Sequence, residues 1–103
     1  MHLTTLRKRW SKVADLVNNA GELRDEDPRL AAQVLDAAAD RLEAVDSSCE
    51  WAWSPLAWVA RSEAIGEVVN GVRRAPVNAG ALRDWANALR AEADQQAWAW
   101  RRP

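Results

Sequence analysis

Apolar residues recur every three or four positions through most of this chain, the spacing of one buried helical face. Leu6, Trp10, Val13, Val17 and Ala20 make the first stripe and predict a helix over 5–20. Thr4 or Thr5 can cap its start, and Gly21 offers a left-handed stop. Asp27-Pro28 is a side-chain cap followed by proline at the first helical position. It opens a helix over 28–50 with Leu30, Val34, Ala38, Leu42 and Val45 on one stripe and Leu35 at its edge. Gln33, Asp36, Asp40 and Glu43 face away.

Ser54-Pro55 repeats the cap-then-proline signal and starts a helix over 55–72, with Trp58, Ile65, Val69 and Val72 inward and Glu63 and Glu67 opposite. Asn70-Gly71 marks its weak point or end. Pro76 and Asn78 open the last helix, 77–100, whose face carries Leu82, Trp85, Ala86, Leu89, Ala93 and Trp100. No segment alternates convincingly with period two. The fold expected is all-α: a single-domain bundle of about four helices occupying 1–103.

The 103 residues, 49% hydrophobic and 28% charged, fit one ordinary globular domain. One cysteine, Cys49, allows no internal disulfide, and no apolar run approaches the roughly 20 residues that span a bilayer. The cytoplasm is the expected location. Arginine outnumbers lysine twelve to two, a bias expected of a GC-rich actinobacterial or phage genome. The net charge of −1 conceals an asymmetry. Residues 1–12 hold four basic groups and no acidic ones, whereas 13–50 hold ten acidic groups against three basic. A local basic face is compatible with this distribution, and uniform nucleic-acid binding is not.

Leu35–Trp53 echoes Leu82–Trp100 at Leu35/Leu82, Ala39/Ala86, Leu42/Leu89 and a repeated Trp-Ala-Trp. Either a duplication, giving two pseudo-repeated helical hairpins, or a shared alanine-rich composition accounts for it. The tryptophans press harder. The chain has 7 of them and neither Tyr nor Phe. Trp10, Trp58 and Trp85 lie on apolar stripes and read as core anchors. Residues two apart on a helix point about 200° apart, so if Trp53 and Trp100 face inward, Trp51 and Trp98 face outward. Trp98 then shares the polar face of Ala91, Asp94 and Gln95. Either the helices end early and both rings pack, or the rings complete an interface, with another copy or a different protein. Arg101 and Arg102 beside Trp100 suit the interface readings, since Trp and Arg dominate such sites.

The chemistry of catalysis is missing. His2 is the only histidine and stands near the terminus, so Cys49 lacks a base and no zinc set can form. There is no glycine-rich phosphate loop, and Asp25, Glu26 and Asp27 do not have EF-hand spacing. No cofactor, metal or enzymatic activity is expected.

Residues 62–90 resemble the latter part of a repressor-type helix-turn-helix domain at Ile65, Gly71, Arg73-Arg74, Pro76 and Leu82…Ala86…Leu89, with Leu56-Ala57 standing for the start of the first motif helix. The resemblance implies a DNA-binding regulator built on 55–90, dimeric, with Arg61, Arg73 and Arg74 on backbone phosphates. The span from Leu56 to Ile65 is about two residues short of two helices and a turn. The favoured expectation is a non-enzymatic helical interaction module or regulator. It would bind a protein partner, here another copy of itself, through Trp51, Trp98, Arg101 and Arg102.

Overall fold

The computed structural model describes residues 2–48, 54–65, 67–69, 72–75 and 78–101, with side chains at 2–48, 54–65 and 78–98. It is an all-α bundle of four helices: α1 (Leu3–Leu23), α2 (Pro28–Asp46), α3 (Pro55–Ile65) and α4 (Ala79–Arg101). A short antiparallel hairpin, β1 (Glu67–Val69) and β2 (Val72–Ala75), separates α3 from α4.

The caps work as their chemistry dictates. The Asp27 carboxylate accepts from the Leu30 backbone N–H at 3.1 Å, with Pro28 behind it. Ser54 Oγ accepts from Ala57 N–H at 3.3 Å, and Asn78 Oδ1 from Ala81 N–H at 2.7 Å. Asp27→Ala should lower unfolding free energy by about 1 kcal/mol, read from urea unfolding; no change would mean the backbone N–H groups are satisfied equally well by water.

Helix α1 departs from expectation at both ends. It begins at Leu3 with His2 in the cap position and no side-chain cap bond, so Thr4 and Thr5 are inside the helix. It also runs through Gly21 to Leu23, and Arg24 remains right-handed. Glycine at an exposed helical position costs only about 1 kcal/mol, so the helix can run through Gly21 instead of stopping at it. Helix α2 ends at Asp46, before the expected 50. Its terminus is closed by Ser47, whose N–H and Oγ both bond the Glu43 carbonyl.

The larger correction is at α3, expected over 55–72 and found over Pro55–Ile65. Val68, Val69 and Val72 are β-branched and prefer the pleated state. Val69 pairs with Val72 across the hairpin. The two residues between them in sequence are Asn-Gly, the dipeptide most favoured for a two-residue hairpin loop. Local β chemistry therefore outweighs the helical spacing of Ile65, Val69 and Val72.

Helix α2 is the centre of the molecule, with α1 on one flank and α4 antiparallel on the other. Two heptad seams explain this. Ala31, Leu35, Ala38, Leu42 and Val45 alternate by four and three, as do Leu6, Trp10, Val13, Val17 and Ala20 of α1; all are buried. Ala32, Leu35, Ala39 and Leu42 form the second register, matched by Ala79, Leu82, Ala86, Leu89 and Ala93 of α4. Leu35 and Leu42 belong to both. Alanine at every seventh position lets two helical backbones approach closely. The echo of Leu35-Ala39-Leu42 in Leu82-Ala86-Leu89 is thus the signature of two helices building one seam. It does not produce two helical hairpins, because among the described residues α3 packs mainly on α1 and makes no comparable contact with α4.

The buried face of α2 is consequently rotated from the expected stripe. Leu35, placed at the edge, is fully buried, and Leu30 is 41% exposed. The layered arrangement is long and thin, 58 × 28 × 16 Å. Its radius of gyration, 15.5 Å, exceeds the ~13 Å of a compact domain of this length. No described helix is long and apolar enough to cross a membrane.

Candidate functional site

Helix α3 is short and apolar on two sides. Its inner face buries Ala57, Ala60 and Ile65 against the rest of the core. Its outer face exposes Leu56 at 74% and Val59 at 54%, and Trp58, two positions from Leu56 and so on the opposite border of that face, is 45% exposed. Trp58, expected in the core, is therefore at the surface. The reason lies beside it: the inward position one turn away is taken by Arg61, not by an apolar residue.

Arg61 is 2% exposed. Its Nε donates to Asp46 Oδ1 at 3.0 Å and its Nη2 to Asp46 Oδ2 at 2.9 Å, a bidentate pair. Trp10 Nε1 donates to the same Oδ1 at 2.9 Å. The guanidinium also lies over the Trp58 ring, 5.5 Å from its centroid, close enough for cation–π attraction. One carboxylate at the end of α2 thereby ties down α1 and α3 together. No buried side-chain nitrogen or oxygen among the described residues lacks a hydrogen-bond partner. This cluster orients α3 and sets which of its faces looks outward.

The rim of that outer face carries Arg7 and Glu63, paired at 3.1 Å between α1 and α3. Away from it, the α2–α4 flank is laced with ions. Arg83 bonds Asp40 at 2.9 Å and also Glu43, Arg90 reaches Asp36, and Arg29 meets Asp94 at 2.7 Å. The Arg83 hydrogen bond holds the Glu43 carboxyl below the ordinary carboxylate range. These pairs are solvent-exposed and set helix order more than they add stability.

Of the residues expected to bind a partner, Trp98 lies on α4 and is 61% exposed, on the outward face as the spacing required. Arg101 closes α4. Trp51 and Arg102, like Cys49, Trp53, Gly71 and Pro76, lie outside the described residues. The second Trp-Ala-Trp, 98–100, is helical. Trp98 does not join the α3 surface. The Arg29–Asp94 pair sets the last turns of α4 at the first turn of α2, whereas α3 docks at Asp46, the other end of that helix. The outer face of α3 escaped the stripe analysis, but its signal was present: Leu56-Ala57-Trp58-Val59-Ala60 is apolar in every direction around a helix.

The helix-turn-helix geometry does not form. Among the described residues between 55 and 75 there are one helix and a hairpin, where the motif needs two helices and a turn. Arg61, assigned there to phosphate, is sequestered by Asp46, and Arg73 and Arg74 lie on β2. No protein-family model, curated protein or solved structure matches this chain.

Proposed function

We propose that this protein is a non-enzymatic helical interaction module that binds a second copy of itself through the outer face of α3. The observation that supports it is the exposure of Leu56 and Val59, neighbours one turn apart on a helix whose other face is already committed to the core, with Trp58 at the border of that face. Exposed apolar groups that lie together mark interaction surfaces more often than chance placement. A second copy fits for two reasons. The flat, elongated layer leaves more surface uncovered than a compact domain of its length. The rim also carries both charge signs, Arg7 and Glu63, so a two-fold arrangement can place each opposite its complement.

Light scattering across a concentration series tests the reading. The native chain should show twice the single-chain mass, and Leu56→Glu with Val59→Glu should show the single-chain mass with helix content unchanged. Both positions are exposed, so the substitutions leave the core alone. A native monomer at every concentration defeats the proposal. Dissociation by Trp98→Ala, with the α3 variant still dimeric, would move the interface to the end of α4 and also defeat it.

A further inference from the structure

The described cations divide sharply. Arg7, Arg24, Arg29, Arg61, Arg83 and Arg90 all meet carboxylates within 4 Å. Among the described side chains, Lys8, Arg9, Lys12 and Arg41 have no such partner, and all four are exposed. Arg9, Lys12 and Arg41 also converge. They line one open cleft of about 250 Å³ between α1 and α2, with Ala44 and Val45 as its apolar lining. The cleft opens on the flank of α2 away from α4 and its ion pairs.

Like charges one helical turn apart, such as Lys8/Lys12 and Arg9/Lys12, are mildly destabilising. Scattering cations among carboxylates, as the rest of this molecule does, avoids that cost. Here no carboxylate stands among the described lining residues, and three cations from two helices face one volume. A multivalent anion is the ligand such a field concentrates. Guanidinium groups match phosphate oxygens with paired, charge-assisted hydrogen bonds, and lysine adds a point charge.

We infer that this cleft binds a small pyrophosphate-type anion, either free or as the phosphate tail of a nucleotide. The volume is just below the range of ordinary small-molecule pockets and suits two linked phosphates. A nucleic-acid duplex is a poorer fit, since tight backbone binding uses roughly 6–10 phosphate contacts along an extended surface. The inference is independent of self-association, because α3 contributes nothing to the cleft.

Titration of the full chain with inorganic pyrophosphate at fixed ionic strength, followed by backbone amide NMR, tests it. Saturable shifts are expected at 9–12 and 41–45. Arg9→Gln, Lys12→Gln and Arg41→Gln together should weaken binding about tenfold or more, with unchanged circular dichroism. ADP binding equal to pyrophosphate would assign the tail alone, and tighter ADP binding would assign Ala44 and Val45 to the rest of the nucleotide. The proposal fails if shifts do not saturate in the millimolar range, if sodium chloride reproduces them, or if the triple variant binds equally well. Retention of duplex DNA without any pyrophosphate binding also overturns it.

Discussion

Replacing Asp46 with alanine should destabilise the fold by about 3–5 kcal/mol, the loss seen when one partner of a buried ion pair is removed. The substitution removes the bidentate carboxylate from the buried Arg61 guanidinium and leaves the Trp10 indole N–H without its acceptor. Domains of this size lose roughly 4–8 °C of melting temperature per kcal/mol. Thermal and urea unfolding should therefore show a drop of roughly 12 °C or more. The double variant Asp46→Leu with Arg61→Met should recover much of the loss, because a buried pair exchanged for apolar groups of similar volume is often neutral. A loss below about 1 kcal/mol for Asp46→Ala would show that water replaces the carboxylate, and that α3 is not held by this cluster.

Leu35→Ala should cost an amount in the upper part of the ~2–5 kcal/mol range for core leucine truncation. Leu35 is fully buried where the α1–α2 and α2–α4 seams converge, so the cavity has no mobile neighbour to fill it. Leu30→Ala, four positions from Val34 and half out of the protein, should cost within about 0.5 kcal/mol. Paired urea denaturation curves decide the matter. Equal losses at the two positions would mean that the buried face of α2 is centred on Leu30, and would undo the two-seam arrangement.

That pair of leucines also shows what a single sequence can and cannot convey. A stripe through Leu30, Val34 and Leu42 is the best apolar line for a helix with one neighbour. Helix α2 has two, so its buried arc is centred on Leu35 and Leu42 and widened by Ala31, Ala32, Ala38 and Ala39. Alanine reads as neutral in composition, and only the docked helix on each side reveals that these positions are interior. Cap signals fared better because they act over three or four residues: Asp27-Pro28, Ser54-Pro55 and Asn78 each start a helix. The five α1 stripe residues are all buried as their spacing required, and only Ala14, which the second contact of α1 with α3 draws inward, was missing from the stripe.

Non-local chemistry was beyond reach. Nothing near Arg61 in sequence says that Asp46 will neutralise it, and an arginine two positions before Glu63 looks like a surface group. Once Arg61 turns inward, Trp58 must accept a position at the boundary, which is why the expected core anchor became part of an exposed face. The outward setting of Trp98 was legible because it depends only on helical angle and on the polarity of Asp94 and Gln95. The separation of Trp98 from α3 depends on the antiparallel docking of α4, which no spacing within α4 encodes.

The central place of α2 gives the molecule an uneven resistance to opening. Helices α1 and α3 are locked to it through one largely buried carboxylate and large side chains such as Trp10 and Leu6. Helix α4 is held by an alanine–leucine seam and by exposed ion pairs, which contribute little in salt. Its detachment leaves the Asp46 cluster intact and uncovers only one side of α2. Detachment of α4 and loss of the Asp46 cluster are thus separable events, which hydrogen exchange in α4 and in α1 and α3 can tell apart. What a departing α4 would uncover is a strip of Ala32, Leu35, Ala39 and Leu42, a surface that the same helix from a neighbouring molecule can cover, so the route to a helix-exchanged pair runs through α4 and not through α1 or α3.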